Sequence, residues 1–277
     1  MEKLPINPVL VWIKNRIKNN KNEIIVINGP TGSGKTFAAL SLCNQISEML
    51  NTNFNLKDNM DFSFSQLLKE TMLPQNQKPG TPFLFEEVGV VGSGSAARQW
   101  QSKANQFFFS FMQTTRHRQQ ILIMTCPHFS FLEKGTRSMV HLQMETAGID
   151  FKRKIALLKP FRIQVNSRSG QFYFKYLRIR YKGKRYKLKI LEVPYPPQDM
   201  VNEYEIIKTR YTTKLNKSII AAEKEEAKPK SKSKVDDKKL KELMEQGLNN
   251  VQIAKILGVS RLTVIRHKKC IKISSQV

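Results

Sequence analysis

Eight residues at positions 29–36 have the types and spacing of a phosphate-binding loop, G-x-x-x-x-G-K-T. We predict that all eight contact a nucleotide: Gly29, Pro30, Thr31, Gly32, Ser33, Gly34, Lys35 and Thr36. Glycines let backbone amides approach a polyphosphate closely, because they carry no Cβ. The ammonium of Lys35 would face the β- and γ-phosphates, and the hydroxyl of Thr36 would bind Mg²⁺. The pattern therefore predicts a site for ATP and Mg²⁺.

Two adjacent carboxylates, Glu86 and Glu87, follow the apolar run at 81–85. An apolar strand that ends in acids about fifty residues after a phosphate loop is typical of the Walker B element. We assign Glu86 to Mg²⁺, through water, and Glu87 to polarising an attacking water. We expect their strand to lie directly beside the strand that precedes the loop.

Predicted strands and a predicted helix would position the phosphate loop and the residues around it. Residues 23–28 are apolar and β-branched, as in a buried parallel strand, and residues 37–46 have apolar side chains at helical spacing. A second buried strand is predicted at 121–125. A polar residue at its end would sense the γ-phosphate, and both Thr125 and His128 fit that role.

The charge of the chain is high and uneven. Its 277 residues contain 47 Lys and Arg against 22 Asp and Glu, a net charge of +25. Residues 151–191 hold 14 Lys and Arg and no acid, in alternating stretches typical of antiparallel strands. Such an excess favours a polyanionic partner, most simply nucleic acid. Together with a helix-turn-helix pattern at the carboxyl terminus, it leads us to expect double-stranded DNA. The phosphate-binding candidates in the stretch 151–191 are Arg178, Arg180, Lys184 and Arg185.

The carboxyl-terminal residues predict three short helices, at 238–246, 250–257 and 261–269. Gly258 permits a sharp turn, and Ser260 is a candidate cap for the third helix. The pattern is typical of a helix-turn-helix, and a three-helix protein-interaction module is the alternative. The predicted core residues are Ile253, Ile256, Leu257, Val259, Leu262 and Ile265. The predicted DNA contacts are Arg261, Thr263, Arg266 and Lys268.

The chain divides into three predicted parts. A P-loop ATPase domain covers 1–217, with a basic β-rich extension at 151–193, and a charged flexible linker at 218–235 leads to a helix-turn-helix domain at 236–277. The three cysteines are scattered, and the four histidines have no metal-ligand spacing. With no apolar run of about 20 residues, we expect a cytoplasmic protein without membrane insertion.

These motifs together resemble the HerA/FtsK superfamily of DNA-pumping P-loop ATPases, in particular its viral, plasmid and zonular-occludens-toxin-like members. The resemblance covers about residues 20–215. It includes GPTGSGKT, the pair Glu86-Glu87, Arg116-His117-Arg118 before ILIMT, and Pro194-Tyr195-Pro196-Pro197 followed by Tyr204-Glu205 and Lys208. It implies an α/β fold with a RecA-like core and a homo-oligomer, such as a hexameric ring. An arginine of one subunit would complete its neighbour's site, with Arg137 the first candidate and Arg116 the second.

The function expected from this resemblance is an ATP-hydrolysing DNA translocase in genome packaging or DNA transfer. The alternative is an ATP-dependent DNA-binding switch, such as a helicase loader, transposition helper or partition ATPase. A transcription factor with a vestigial nucleotide site is a third possibility, against which the intact Lys35, Thr36 and Glu87 argue.

Overall fold

A computed structural model describes residues 7–87, 112, 116–226 and 237–274. The chain forms two compact units, residues 1–212 and residues 213–277. The first unit is built on a mixed sheet of eight strands with helices packed against it. This arrangement confirms the predicted α/β fold class.

Five parallel strands form the centre of the sheet, in the order β5-β1-β4-β3-β2. Their bounds are β1 Glu23–Asn28, β2 Met60–Asp61, β3 Pro82–Phe85, β4 Ile121–Cys126 and β5 Leu142–Asp150. All six residues of β1 and all six of β4 are buried, as expected of strands covered on both faces. Since parallel strands end at the same edge, the residues after β1, β3 and β4 meet there.

The Walker B strand does not lie beside β1, contrary to the sequence-based expectation. Strand β4 pairs with β1 on one side and with β3 on the other, so it separates the two. Sequence periodicity identifies buried strands but carries no information on their order across a sheet. The side chains at the end of β3 nevertheless reach the phosphate loop, as described below.

The helices of the first unit cover the parallel strands. Their bounds are α1 Pro8–Lys18, α2 Lys35–Leu50, α3 Leu56–Asn59, α4 Phe64–Glu70 and α5 Lys134–Met139, with α6 at Gln198–Glu226. Short 3-10 helices lie at Pro74–Asn76 and Phe129–Phe131. Helix α1 begins at Pro8 and is capped by Asn7, whose side chain accepts a hydrogen bond from the Val9 amide at 3.1 Å.

Antiparallel strands extend the sheet beyond β5. Strand β6 at Ile155–Val165 pairs with β5, with β7 at Phe172–Tyr176 and with β10 at Leu191–Pro194. Strands β8 at Arg178–Tyr181 and β9 at Lys184–Lys187 form a separate two-stranded sheet. The alternating stretch at 171–181 therefore forms two strands, divided at the buried Leu177.

Besides the end of α6, the described residues of the second unit form three helices, α7 Asp237–Glu245, α8 Asn250–Leu257 and α9 Arg261–Ser274. Gly258 ends α8 in the left-handed region, at φ 62°, and the Ser260 hydroxyl accepts from the Thr263 amide at 3.2 Å. The buried core residues are Leu240, Leu243, Ile253, Ala254 and Val264.

Two predicted core residues of this unit are exposed, Ile256 at 54% and Leu262 at 67%. Val264 is fully buried instead, because the helical period turns that side of α9 towards Ile253 and the α7 leucines. Residues 218–226 of the predicted linker at 218–235 belong to α6, which continues to Glu226. Residues 227–235 of that linker lie outside the described part of the chain.

Across the described residues, none of the helices combines the length and the apolar character that crossing a bilayer requires.

Candidate functional site

The phosphate loop connects β1 to α2 and is closely packed against β5. A Cβ on Gly29 would collide with the Thr146 hydroxyl, which itself donates to Ser33 Oγ at 2.9 Å. Gly34 has φ 83° and precedes the first residue of α2. A Cβ there would lie 3.1 Å from Ile149. Glycine is thus required at both positions, one for space and one for backbone conformation.

Lys35 begins helix α2, so the positive end of that helix and the lysine charge face the same region. Its Nζ donates to the Pro30 carbonyl at 2.7 Å, across the loop. Burial lowers the pKa of Lys35, while the charge of nearby Glu86 opposes this effect. The arrangement is that of an anion site formed by backbone amides, a helix end and one ammonium.

Glu86 is bound by three hydroxyl groups from three different elements. Thr36 at the start of α2 donates to Oε1 at 2.5 Å, and Thr125 of β4 donates to Oε2 at 2.9 Å. Tyr204 of α6 also donates to Oε1, at 3.3 Å. The predicted Mg²⁺ residues Thr36 and Glu86 are therefore adjacent, although 50 positions separate them.

Glu86 fits a cation site because it is a buried carboxyl group whose hydrogen-bond partners are uncharged hydroxyl groups. It is only 1% exposed, and burial raises its pKa even though Thr36 and Thr125 donate to it. None of the ion pairs formed by the described residues involves this carboxylate. The same residues include no cluster of three or more His, Cys, Asp or Glu that could hold a metal. This donor set suits Mg²⁺, which binds through one or two protein ligands together with phosphates and water.

Glu87 is held from two sides in an unusual backbone conformation. Its φ is 54°, a region that few non-glycine residues adopt. Its amide donates to Thr125 Oγ1 at 2.9 Å, and Lys208 of α6 donates to its Oε1 at 3.1 Å. Glu87 lines the same cavity as the loop residues Lys35 and Thr36.

The two residues of α6 that contact these acids were not assigned a role from sequence. Tyr204 is 1% exposed, and the Lys208 ammonium lies 5.5 Å from the centre of its ring. Burial alone would lower the pKa of Lys208, but its interactions with Tyr204 and Glu87 raise it. Lys208 thus stays charged at neutral pH. The i, i+4 spacing of Tyr204 and Lys208 was the available signal, since it places both on one helix face.

A cavity of about 470 Å³ lies at the centre of these contacts. Five of the eight predicted loop residues line it: Thr31, Gly32, Gly34, Lys35 and Thr36. Glu86, Glu87 and Thr125 line it as well, whereas His128 is exposed and bonds to Ser130 at 2.7 Å. Of the two sensor candidates, the structure therefore places Thr125 in the cavity.

The two candidate trans arginines do not line this cavity. The Arg137 guanidinium lies 5.5 Å from the centre of the Phe172 ring, and its Nε has no hydrogen-bond partner in the described part of the chain. Arg116 is exposed. Neither arginine belongs to the site formed by its own chain, and a role in a neighbour's site stays a prediction.

The four candidate DNA-binding residues of the β8–β9 hairpin are exposed, namely Arg178, Arg180, Lys184 and Arg185. Arg180 lies opposite Arg185, and Arg178 lies opposite Lys187. Ile179, between the two arginines of β8, is 4% exposed and belongs to the main core. One face of the hairpin is thus anchored, and the other carries like charges directly opposite each other.

The predicted DNA contacts in the second unit differ in their exposure. Arg261 and Arg266 are exposed, whereas Thr263 and Lys268 are half-buried. The Thr263 hydroxyl is also 2.8 Å from Ser260 Oγ, at the start of α9. The two arginines therefore project from α9, while Thr263 takes part in its cap.

Removal of the Lys208 charge should reduce catalysis more than binding. In Lys208→Met the helix keeps an apolar side chain of similar length, but Glu87 loses its ion-pair partner. We expect kcat for ATP to fall about tenfold, because a misplaced reacting group costs rate rather than affinity. Lys208→Arg should restore part of the rate, and Lys214→Met, exposed on the same helix, is the control. An unchanged kcat in Lys208→Met would show that the ion pair has no catalytic role.

No protein-family model matches the chain, and no curated protein matches it. Among solved structures, the chain is similar to the N-terminal domain of zonular occludens toxin from Neisseria meningitidis. The two share 17% sequence identity with a TM-score of 0.35, over 57% of this chain and 95% of that domain.

Proposed function

We propose that the chain is a Mg²⁺-dependent ATPase with a RecA-like core that moves double-stranded DNA. The observation that carries the ATPase part is the chain of hydrogen bonds from Thr36 through Glu86 and Thr125 to Glu87, beside the phosphate loop. It joins a phosphate site, a cation site and a second carboxylate, that of Glu87, in one cavity. Hydrolysis of a nucleoside triphosphate requires these three components.

Each residue has a defined part in this reaction. Lys35 and the amides of the loop would bind the phosphates and offset the charge that develops on them. Thr36 and Glu86 would hold Mg²⁺, which neutralises phosphate charge when bound. Glu87 would orient the attacking water and accept its proton, with Lys208 and the Thr125 hydroxyl fixing its position.

The proposal of DNA as the partner rests on the exposed face of the β8–β9 hairpin. Like charges directly opposite each other on a sheet are destabilising, so this arrangement favours a bound polyanion. None of Arg178, Arg180, Lys184 and Arg185 forms an ion pair with a carboxylate of the described residues. Contacts from such a surface go to phosphates and do not depend on sequence, as a moving motor requires.

The second unit supports a DNA-directed function independently. Helices α8 and α9 are joined by the left-handed Gly258 and the Ser260 cap, the connection found in helix-turn-helix modules. Arg261 and Arg266 are exposed on α9. We therefore propose that α9 reads the major groove, and the protein-interaction module is the alternative.

The basic hairpin should determine how strongly DNA binding depends on salt. If about six side chains neutralise phosphates, log K should fall with log salt at a slope of about −5. Changing Arg178, Arg180, Lys184 and Arg185 together to Gln should make the slope less steep by about 3.6 units, from about 0.9 per contact. The measurement is fluorescence anisotropy of labelled duplexes of two unrelated sequences.

The matched control for this experiment is a second fourfold variant, in which exposed lysines outside the hairpin are changed to Gln: Lys18, Lys21, Lys57 and Lys69. It removes the same net charge, and we expect a smaller change in slope. Equal slopes in the two variants would show that the hairpin is an ordinary solvated surface.

A translocase and an ATP-dependent switch differ in what hydrolysis achieves. A translocase displaces a triplex-forming strand from duplex DNA, at a rate that follows ATP turnover. A switch binds and releases DNA without displacing that strand. We expect displacement by the wild-type chain and none by Glu87→Gln. ATP-dependent DNA binding without displacement would favour the helicase loader, transposition helper or partition ATPase.

A further inference from the structure

An aromatic surface lies beside the phosphate loop and has no part in the hydrolysis described above. Phe151 is 76% exposed, yet its ring lines the same cavity as Lys35 and Thr36. Ile149 and Tyr195 line that cavity too. Removing apolar surface from water is favourable, so a ligand that covers Phe151 in this cavity would gain affinity.

The turn that carries Phe151 is fixed, although the ring itself is exposed. The turn connects β5 to β6, and the Arg153 amide donates to Asp150 Oδ1 at 3.0 Å. The Arg153 guanidinium binds both carboxylate oxygens of Glu192, at 3.1 and 2.5 Å. The Tyr195 amide donates to the Lys154 carbonyl at 2.9 Å. These contacts hold the backbone on either side of Phe151, so little entropy would be lost when a ligand covers the ring.

The hydrogen bond between the Tyr195 amide and the Lys154 carbonyl also positions a second aromatic ring, that of Tyr195. Tyr195 follows β10, and its ring meets that of Phe37 edge-on, with 5.5 Å between centroids and an interplanar angle of 75°. Phe37 comes directly after Thr36, so the ring pair of Phe37 and Tyr195 is adjacent to the phosphate site. Ile149 contributes aliphatic surface on the side of Gly34.

We propose that Phe151, Ile149 and Tyr195 form the subsite for the nucleobase of the bound nucleotide. This inference rests on the proposed ATPase function and adds to it the residues that bind the base. A purine offers a flat π-face to Phe151, and stacking of this kind accepts any base. The subsite therefore supplies affinity for the base, with little discrimination between ATP and GTP.

The test compares a ligand that has a base with one that has only phosphates. Phe151→Ala is titrated with ATP, GTP and inorganic tripolyphosphate, all with Mg²⁺, by isothermal titration calorimetry. We expect the affinity for ATP and for GTP to fall about tenfold, as for the loss of one stacking partner. Tripolyphosphate affinity should stay within about twofold, since the phosphate loop is unchanged. Because Phe151 is exposed, the variant should fold as the wild type does.

Two further variants test whether a stacking ring at position 151 is what determines the affinity for ATP. Phe151→Trp keeps a stacking surface and should retain affinity for ATP. Phe131→Ala removes a ring that is 57% exposed outside the cavity, and it should bind ATP as the wild type does.

Two outcomes would overturn the inference. Unchanged ATP affinity in Phe151→Ala would show that the ring does not contact the base. An equal loss for ATP and tripolyphosphate would show that it supports the phosphate loop instead. Failure of the proposed function has a different signature, because the wild-type chain itself would then bind neither ligand.

Discussion

Replacing Glu87 with Gln should lower kcat for ATP hydrolysis by about 10²–10⁴-fold, the usual contribution of a positioned acid or base. The amide is isosteric and can still meet Lys208, but it cannot accept a proton from water. ATP binding should change little, because Glu87 does not contact the phosphates in the proposed arrangement. Phosphate release and nucleotide titration measured on the same preparation would separate the two effects.

The Lys208 variant provides a second test of the same assignment. If Lys208 acts through Glu87, then Lys208→Met should have little further effect in a Glu87→Gln background. Glu133→Gln, at an exposed position outside the cavity, is the matched control. Hydrolysis at the wild-type rate in Glu87→Gln would refute the assignment, and Glu86 would become the candidate for water activation.

Lys35→Ala should remove most of the affinity for ATP. Loss of a charged hydrogen-bond donor costs about 2 kcal/mol, which corresponds to about a 30-fold rise in Kd. A ligand that binds only the folded state raises Tm, so at the same Mg²⁺-ATP concentration the Tm of the variant should rise much less than that of the wild type. Differential scanning calorimetry with and without nucleotide measures this difference.

The control for the lysine variant is Lys21→Ala, which removes an exposed charge that does not line the cavity. Its Tm should respond to Mg²⁺-ATP as the wild type does. If Lys35→Ala keeps the full ATP-induced shift, the nucleotide binds elsewhere, and the phosphate loop is a structural turn.

The features that sequence predicted correctly are local in the chain. The strand β1, the glycine loop and helix α2 are contiguous, so their spacing alone fixes how the loop faces the helix end. The capped turn between α8 and α9 was also predictable, because Gly258 and Ser260 act on their immediate neighbours.

The rest of the site depends on contacts between distant positions. Tyr204 and Lys208 reach the carboxylates across 118 and 121 residues. Nothing in the local pattern of α6 specifies which partner its polar side chains meet, since helix periodicity defines a face and not its neighbour. The position of β4 between β1 and β3 could not be predicted for the same reason, because packing of the whole sheet decides the strand order.

Exposure was the least predictable property. Phe151 is an apolar residue that would ordinarily be assigned to the core, yet it is 76% exposed on a fixed turn. Leu262 was assigned to the core of the second unit and is 67% exposed. In short helices and turns, a shift of one residue in the pattern of buried positions changes which side chain is buried. Tertiary packing determines that pattern.

The central claim is that the cavity between the phosphate loop and Glu87 hydrolyses ATP for work on DNA. The most direct test is the rate of phosphate release at saturating ATP, with and without Mg²⁺ and double-stranded DNA, for the wild type and Glu87→Gln. We predict release that requires Mg²⁺, rises with duplex DNA in the wild type and is almost absent in the variant. Equal rates in wild type and variant, or a wild-type rate that Mg²⁺ and DNA leave unchanged, would contradict the claim.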